Sequence, residues 1–525
     1  MEPLQDLNWL LSLGTFLPLV GVLLMLFVPK KDVDTAKTIA LGTALATLAV
    51  GVVTALKFDY GQSENLQFFA SHSWIKPISA TYTIGVDGIS LPLYLLSMLI
   101  TVLVMIYSWN HVPSPGNAKA FFMLMLVLQT GMAGTFMAQD LILFFVFFEL
   151  VLLPMYFMIG VWGGENRQYA SLKFFLYTMF GSALMLVGFI ALFVVTKNNA
   201  ADPAAANFSF QWFNENGPDV AKNTAIWIFG GLFIGFAVKV PMFPFHTWLP
   251  DAHTEAPTQG SVILAAILLK LGTYGFVRIA IPFLPQAAVK WAPAIAVLAV
   301  IGIIYGALGC LAQTDMKRLI AFSSVAHMGF VMLGISTLTD LGINAALFGM
   351  VAHGLITGML FFLAGSVKER YHTLQISKLK GMLKSMPKLG WIFGFCAMAS
   401  LGLPGLAGFW GEFPALLASW SPAEVLLGNG HEGLFRVLTI IAALGTVLAA
   451  GYLLWLFQRT AMGEPAVEAA GDHHESDIHD VNAFEWAAWV PMLIGIVVLG
   501  VVPKLLLDLS DPGVQIITKV FKGGN

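Results

Sequence analysis

The chain has 525 residues, of which 58% are hydrophobic and 11% are charged, and its mean hydropathy is +0.79. This number of charges is too small to cover the surface of a soluble protein of this size. The composition therefore excludes a soluble globular fold and indicates an integral membrane protein. The 27 basic and 30 acidic residues nearly balance, so we expect lipids, and no nucleic acid, around the chain.

Fourteen stretches are long and apolar enough to cross a bilayer, which takes about 20 residues in a helix. In chain order the predicted spans are 8–28, 36–56, 88–110, 119–138, 140–162, 171–196, 224–249, 256–282, 291–312, 316–337, 342–366, 388–411, 434–459 and 484–507. The connections 57–87, 197–223 and 460–483 are predicted to be caps and not separate domains. The predicted fold class is therefore an all-α polytopic membrane protein.

Basic residues are unevenly distributed between the connections on the two sides. With the N-terminus outside, fifteen Lys and Arg residues fall on the inner side and ten on the outer side. Basic residues favour the inner side, so both termini are predicted on the outer, periplasmic face. The first span lacks a cleavage site and nothing resembles a transit peptide, so we expect a retained helix and a bacterial inner membrane.

Five ionisable residues fall near the middle of predicted spans: Glu149, Lys239, Lys270, His327 and His353. A lysine there costs roughly 2.5–3.5 kcal/mol on insertion scales, and its stem is too short to reach water. One histidine alone is more often an ordinary buried hydrogen-bonding group, but five groups at one depth indicate a function. Because such side chains exchange protons, we expect proton transfer, with the Glu149 carboxylate close to Lys239.

Helix-breaking residues interrupt the seventh and twelfth spans. The seventh contains Pro241 and Pro244, and the twelfth contains Gly402, Pro404, Gly405, Gly408 and Pro414. Each is the fourth of five spans if spans 4–8 and 9–13 form inverted repeats, a pattern typical of transport sites. The predicted domains are 1–118, 119–282, 291–459 and 460–525. The alternative is that the prolines only curve packed helices.

Glu412 is predicted to lie at the end of the twelfth, broken span, and two interpretations of it stay open. It is either an interfacial carboxylate or a terminal proton site placed symmetrically to Lys239. Two interpretations of Lys317 and Arg318 also stay open. They anchor the tenth span at the interface, with Asp315 as a partner, or they line an inner water pathway.

Metal and redox sites are not predicted in this chain. Cys310 and Cys396 lie far apart in apolar stretches, and GVWGGEN is not a dinucleotide-binding motif. Pro250 breaks the register of HTWLPDAH, residues 246–253, so a metal there is disfavoured. An acidic loop is predicted to be solvated and to bind divalent ions weakly; its residues are Asp472, His473, His474, Glu475, Asp477, His479 and Asp480.

Two segments carry a family resemblance: KVPMFPFHTWLPDAHTEAPTQGSVILAAILLKLG and QTDMKRLIAFSSVAHMGF. Both closely resemble the antiporter-like subunits of proton-pumping NADH:quinone oxidoreductase, respiratory complex I, and of multisubunit cation/proton antiporters. The resemblance extends over about residues 85–460. The twelfth span distinguishes the members, because L- and N-type chains carry a lysine where this sequence has Glu412. Together with the short stretch after the last span, this favours the M-type.

The resemblance implies a role for each buried group. It matches the proton-transfer residues of the family to this chain as follows: Glu149 on helix 5, Lys239 on broken helix 7, Lys270 on helix 8, His327 on helix 10, His353 on helix 11 and Glu412 on helix 12. It implies a subunit of the enzyme that moves protons, driven by quinone reduction elsewhere, and that has no redox centre of its own. FMN, iron–sulfur clusters and quinone are expected in partner subunits, and L-type and N-type chains are the expected neighbours.

Other functions were weighed against this one. A subunit of a multisubunit Na⁺/H⁺ antiporter is the main alternative, since such chains share both motifs. A purely structural scaffold is disfavoured, because it would not retain charges at mid-depth without benefit.

Overall fold

The computed structural model describes residues 7–465 and 479–522, and its regular structure is almost entirely helical. In chain order the helices are α1 Trp9–Leu26, α2 Val33–Lys57, α3 Leu91–Tyr107, α4 Ala118–Met137, α5 Leu141–Leu150, α6 Leu152–Trp162, α7 Arg167–Asn199, α8 Phe210–Asn216, α9 Lys222–Lys239, α10 Trp248–Glu255, α11 Thr258–Ile263, α12 Leu269–Gly275, α13 Ile281–Phe283, α14 Pro285–Leu311, α15 Met316–Ser336, α16 Asp340–Tyr371, α17 Met382–Ser385, α18 Pro387–Ser400, α19 Ala407–Trp420, α20 Glu424–Gly428, α21 Glu432–Ala461, α22 Ala483–Val501 and α23 Lys504–Thr518.

Eleven helical segments in the described residues are long and apolar enough to cross a membrane, and each coincides with a predicted span. The third predicted span is the 17-residue helix α3, the seventh is divided between α9 and α10, and the twelfth between α18 and α19. The prediction of an all-α polytopic membrane fold is therefore confirmed. The number of crossings and the boundaries of the two repeats stay predictions.

The centre of the bundle is made by α15, α16 and the segment Thr258–Phe283. Their most apolar stretches are 94%, 100% and 94% buried by the rest of the chain, whereas those of α2 and α21 are 28% and 39% buried. Peripheral helices thus turn most of their surface outward, as lipid-facing helices do, and the central three are enclosed by protein. Three of the predicted site residues, Lys270, His327 and His353, lie on the enclosed segments.

Both predicted interruptions are present. Helix α9 ends at Lys239, and residues 240–247 form turns before α10 begins at Trp248, whose indole nitrogen donates to the carbonyl of Val238 at 2.9 Å. Helix α18 ends at Ser400, and α19 begins at Ala407. Each interruption therefore creates helix ends inside the bundle.

The connection 57–87 contains a structure that the sequence analysis did not predict. Strands β1, Gln67–Ile75, and β2, Ala80–Val86, form an antiparallel hairpin. Asp140 fixes it to the bundle, because one carboxylate oxygen accepts from the Thr81 backbone at 2.9 Å while the other caps α5 through Ile142 at 2.9 Å. The hairpin was missed because a short alternating pattern is weak beside a run of apolar helices.

The last predicted span, 484–507, is wrong at its end. Helix α22 stops at Val501 and a separate helix, α23, follows it. Helix α23 packs against the start of α16, where Asn344 donates to Asp511 at 2.7 Å and accepts from Ser510 at 2.7 Å. Its backbone also approaches Gly88 so closely that a side chain at that position would collide with it. The prediction failed because apolar residues continue on both sides of the break at Pro503, with only Lys504 between them.

The connection 460–483 is described at its two ends only, so most of the predicted acidic loop lies outside the described residues. At its C-terminal end, Asp480 accepts from the backbone nitrogens of Lys388 and Leu389 at 2.9 and 3.1 Å, which caps α18. Arg370 of α16 donates to the carbonyl of residue 480 and, at 2.7 Å, to the fully buried carboxylate of Glu485. The loop end therefore ties α16, α18 and α22 together.

Candidate functional site

Lys270 lies in Thr258–Phe283, one of the three enclosed segments at the centre of the bundle. It follows the π-helical turn Leu264–Leu268, and a second such turn, Phe276–Ala280, comes after α12. Turns of this type widen a helix locally and are frequent at functional sites. The fully buried ammonium donates to the carbonyl of Ala265 and lies 2.7 Å from Nδ1 of His353 on α16. Lys270 and His353 are therefore in direct hydrogen-bond contact.

His353 in turn faces His327. The centroids of the two rings are 6.0 Å apart and the rings are inclined by 64°. Between them is a cavity of about 30 Å³, whose lining includes both histidines, Thr357, Ser400 and Glu412. A water molecule needs about 10–15 Å³ of such volume, so the cavity can hold about two. Among the described residues, Nε2 of His353 has no hydrogen-bond partner, and His353 is one of the residues that line this cavity.

His327 is paired with Glu412. Nδ1 of the ring lies 2.6 Å from Oε1 of the carboxylate, and Nε2 lies 3.2 Å from the hydroxyl of Ser400 and 3.4 Å from that of Tyr452. Glu412 is only 8% exposed, and its Oε2 has no hydrogen-bond partner in the part of the chain that the structure describes. Burial and pairing favour the interpretation of Glu412 as a proton site, because the side chain belongs to the same internal group as the two histidines.

The second interruption places Glu412 there. Helix α19 starts at Ala407, so Glu412 lies in its second turn instead of at the end of the broken helix. Gly402 in the interruption has φ +78°, a conformation that glycine adopts without strain, and a Cβ on it would lie 3.2 Å from Oε2. The glycines at the break thus allow the backbone to fold back next to the carboxylate.

Lys239 and Glu149 form a second group. Lys239 is 2% exposed, and its ammonium lies 4.7 Å from the centroid of the Phe148 ring. Within the described residues the Lys239 ammonium has no hydrogen-bond partner, and no carboxylate lies within 4.0 Å of it. Glu149 is near enough for the two charges to interact, but they are not in contact. The close contact of the Lys239 ammonium is therefore with the Phe148 ring, and its interaction with the predicted partner Glu149 is a longer-range attraction.

The two groups meet where α9 packs against α12. Gly272 comes two residues after Lys270, and a Cβ on Gly272 would lie 3.0 Å from Cβ of Lys239. Four of the six predicted residues thus surround the cavity or touch a residue that does. Lys239 lies across the α9–α12 contact from them, and Glu149 interacts with Lys239 from α5.

Several residues around the start of α15 differ from expectation. Lys317 is no exposed anchor, because it is 4% exposed and donates to the carbonyl of Ala256 at 2.5 Å. Asp315 does not pair with the side chain of Arg318; it accepts from the Arg318 backbone nitrogen at 2.8 Å as a helix cap. The guanidinium of Arg318 instead lies 3.4 Å from Asp251, which also pairs with Lys173 at 2.7 Å.

The described residues contain no group of three or more His, Cys, Asp and Glu side chains that could hold a metal. His246 and His253, in the segment weighed as a metal site, are buried, and neither ring has a hydrogen-bond partner in the described part of the chain. Cys310 and Cys396 are buried and free. Ser400 and Tyr452, which contact His327, were missed from the sequence, because a hydroxyl residue in an apolar span gives no distinctive pattern.

The helical fold and the six buried ionisable residues together define a polytopic helical membrane protein with ionisable side chains at its core. A family described as "NADH:quinone oxidoreductase/Mrp antiporter, TM" matches residues 138–428, and one described as "NADH-ubiquinone oxidoreductase chain 4, amino terminus" matches residues 13–135. The chain belongs to this family of membrane subunits.

Among its relatives, NADH-quinone oxidoreductase subunit M of Rhodobacter capsulatus is 39% identical over 520 residues, which cover 96% of this chain and 95% of the relative. NAD(P)H-quinone oxidoreductase chain 4 3 of Trichormus variabilis is 38% identical over 97% of this chain and 91% of its own length.

Solved structures agree with this assignment. A chain of respiratory complex I from Thermus thermophilus matches with a TM-score of 0.84 and 27% identity, covering 98% of this chain and 100% of that one. A chain of the Mrp complex from Dietzia sp. DQ12-45-1b has a TM-score of 0.81 over 98% of each chain at 18% identity, a similarity of fold alone. The resemblance identified from the two sequence motifs is confirmed.

Proposed function

We propose that this chain is an M-type membrane subunit of NADH:quinone oxidoreductase that carries protons across the bilayer through its buried Lys, His and Glu residues. The observation that carries the proposal is the series of contacts from Lys270 to His353, across the cavity to His327, and from His327 to Glu412. Each neighbour in that series can give or take a proton, and the cavity has room for water to join the two histidines.

The family resemblance supplies the direction of transfer that we propose. Protons from the inner side reach Lys270 through the region of Lys239, and they leave from Glu412 toward the outer side. Glu149 and Lys239 take up the driving signal, because a carboxylate that moves toward an unpaired ammonium stabilises its charged form. That signal comes from quinone reduction in partner subunits, which hold FMN, iron–sulfur clusters and quinone. This chain provides the proton path and no redox centre.

The subunit has its place among other complex I membrane subunits, with L-type and N-type chains as neighbours and lipids around the rest of its surface. It is a multi-pass protein of a bacterial inner membrane with both termini on the periplasmic side. Relatives named as subunit M at 38–39% identity over nearly the full length support this assembly over a cation/proton antiporter. The antiporter stays the second candidate because the Mrp complex shares the fold.

The test compares Lys239→Ala with Lys222→Ala in the complete complex. Both lysines lie on α9, but Lys222 is exposed at its start, so it controls for the loss of a charge on that helix. Proton uptake and NADH oxidation are measured together in proteoliposomes. We expect Lys239→Ala to lose proton uptake and to slow NADH oxidation, and Lys222→Ala to keep both.

Two outcomes contradict the proposal. If Lys239→Ala pumps as many protons per NADH as the native complex, the path does not depend on this group. If NADH oxidation is independent of the whole chain while sodium- or potassium-linked proton exchange requires it, the chain is an antiporter subunit.

A further inference from the structure

The imidazole of His327 has hydroxyl groups at the nitrogen that does not face Glu412. The hydroxyl of Ser400 is 3.2 Å from Nε2 and that of Tyr452 is 3.4 Å from it. Both residues are buried, at 4% and 0% exposure. Ser400 ends α18 and Tyr452 lies in α21, two helices that carry none of the predicted site residues.

We propose that Ser400 and Tyr452 are positioning residues of the proton path, whose hydroxyls hold the His327 ring against Glu412 and allow Nε2 to exist both with and without a proton. This inference rests on the proposed function and adds to it the groups that let His327 change its protonation state.

The chemistry of a relay through one imidazole ring requires such partners. Nδ1 is 2.6 Å from the Glu412 carboxylate, so this nitrogen exchanges its proton with Glu412. A proton that crosses the ring must then enter or leave at Nε2. A carbonyl at Nε2 would only accept and a backbone N–H would only donate, whereas a hydroxyl does either. A protonated Nε2 therefore donates to a hydroxyl oxygen, and a bare Nε2 accepts from the same O–H group.

The two hydroxyls are placed differently around the ring. Ser400 lines the cavity together with His353 and Glu412, so its hydroxyl connects Nε2 with the water-sized space. Tyr452 is not part of that lining, and its hydroxyl is close to Cys310 on α14 and Ser323 on α15. Ser400 therefore connects Nε2 with the cavity from which a proton arrives, and Tyr452 reaches the same nitrogen from outside the cavity lining.

Other titratable groups around α15 must be considered in any pH experiment. Glu412 faces His327 from α19, His353 faces it from α16 with Lys270 behind, and Cys310 lies beyond Tyr452 on α14. Helix α10 contributes His253, which lies near Lys317 at the start of α15. None of these titratable residues is itself replaced when the hydroxyls are removed. Tyr452→Phe also removes the contacts of its hydroxyl with Cys310 and Ser323, so Ser400→Ala is the variant that tests Nε2 most directly.

The experiment uses Ser400→Ala, Tyr452→Phe and the double variant in the complete complex. Ser419→Ala is the matched control, since this buried serine of α19 bonds to Thr439 at 2.9 Å and not to His327. NADH-driven proton uptake is measured in proteoliposomes between about pH 5.5 and 8.5, a window around the usual titration of histidine.

We expect the double variant to pump more slowly and the midpoint of its pH profile to move by roughly one unit to lower pH, because the charged ring loses hydrogen-bond partners. Ser419→Ala should keep the native profile. Ser400→Thr keeps a hydroxyl and should keep the native midpoint, which also shows that the site tolerates substitution. Each single variant should shift the midpoint by less than the double variant.

The opposite results are distinguishable. If the double variant pumps less at every pH with the native midpoint, or is unchanged, the hydroxyls do not serve the protonation of His327 and the inference is wrong. Glu412→Gln is measured alongside as the test of the proposed function. If Glu412→Gln loses pumping, the proposed function is supported, and the hydroxyl variants alone decide the inference about Ser400 and Tyr452. If Glu412→Gln pumps normally, the proposed function itself is wrong.

Discussion

Lys270 and His353 are predicted to act as one unit in proton transfer. Their contact of 2.7 Å is inside the bundle, where both side chains are enclosed. A positioned proton-transfer group contributes a factor of about 100 to 10,000 in rate. We therefore expect Lys270→Met and His353→Leu each to reduce NADH-driven proton uptake by about 100-fold, the lower end of that range.

The double variant separates a shared path from two parallel ones. If each proton must visit both groups, removing the second after the first costs nothing more, and the double variant keeps the loss of about 100-fold. If the two residues serve independent routes or act by unrelated structural effects, their free energies add and the loss becomes about 10,000-fold. The structure predicts the first result, because His353 is the side-chain partner of the Lys270 ammonium.

The assay is proton uptake by proteoliposomes that contain equal amounts of assembled complex, with NADH oxidation followed in the same sample. Lys222→Met combined with His353→Leu serves as the control, since Lys222 is exposed at the start of α9. That combination should equal His353→Leu alone. A loss in the Lys270 and His353 double variant near the product of the two single losses would refute a single path through the contact.

Three further predictions concern stability and backbone. Glu485→Gln leaves the 3%-exposed Arg370 side chain without its buried partner, so the assembled complex should lose about 3–5 kcal/mol, seen as a lower melting temperature. Gly402→Val places a branched residue at φ +78° beside the carboxylate, so pumping should fall while Gly402→Ala, with its smaller side chain, is milder. Burial opposes the charged form of His111, yet the Glu369 carboxylate at 2.8 Å raises the pKa of this histidine. The stability that the pair contributes is complete below about pH 6.5 and is lost as the pH rises through the raised pKa. The melting temperature of Glu369→Gln should therefore lack this decline with rising pH.

Depth along predicted helices was the sequence feature that identified the site. Glu149, Lys239 and Lys270 stood out because a charge in the middle of an apolar span is expensive and needs a purpose. The same argument cannot rank Ser400 or Tyr452, since a hydroxyl costs little in a helix and bonds to its own backbone. Partners on other helices are set by packing, and the sequence carries no distance information about packing.

The architecture was predictable to a similar extent and for similar reasons. A span of apolar residues is a strong signal because the bilayer fixes its length, so the helix positions agree with the structure. The hairpin of β1 and β2 and most of helix α23 lie outside the predicted spans. The sequence patterns that predict such elements are weaker than a run of apolar residues. The end of α22 was missed because Val502 and Pro503 interrupt the helix without changing the apolar composition.

The first interruption favours the charge that it carries. Lys239 is the last residue of α9, where the helix dipole is negative, whereas Glu412 lies in the second turn of α19, beyond the reach of the dipole of that helix. A matching helix end contributes up to about 2 kcal/mol in a partly buried site, and a cation over an aromatic ring contributes about 0.5–2 kcal/mol. Together these offset most of the roughly 2.5–3.5 kcal/mol that a lysine costs at the bilayer centre.

The stabilising contributions at Lys239 therefore nearly equal the cost of burying its charge, even without an ion pair. A lysine whose charged and neutral forms are close in free energy gains or loses its proton when a charge nearby moves slightly. The carboxylate that can supply this change is Glu149, which interacts with Lys239 at a distance and is not bonded to it. A tight ion pair would fix the lysine in its charged form. The longer separation leaves the proton affinity of Lys239 dependent on the position of Glu149, and this dependence is what a driven proton site requires.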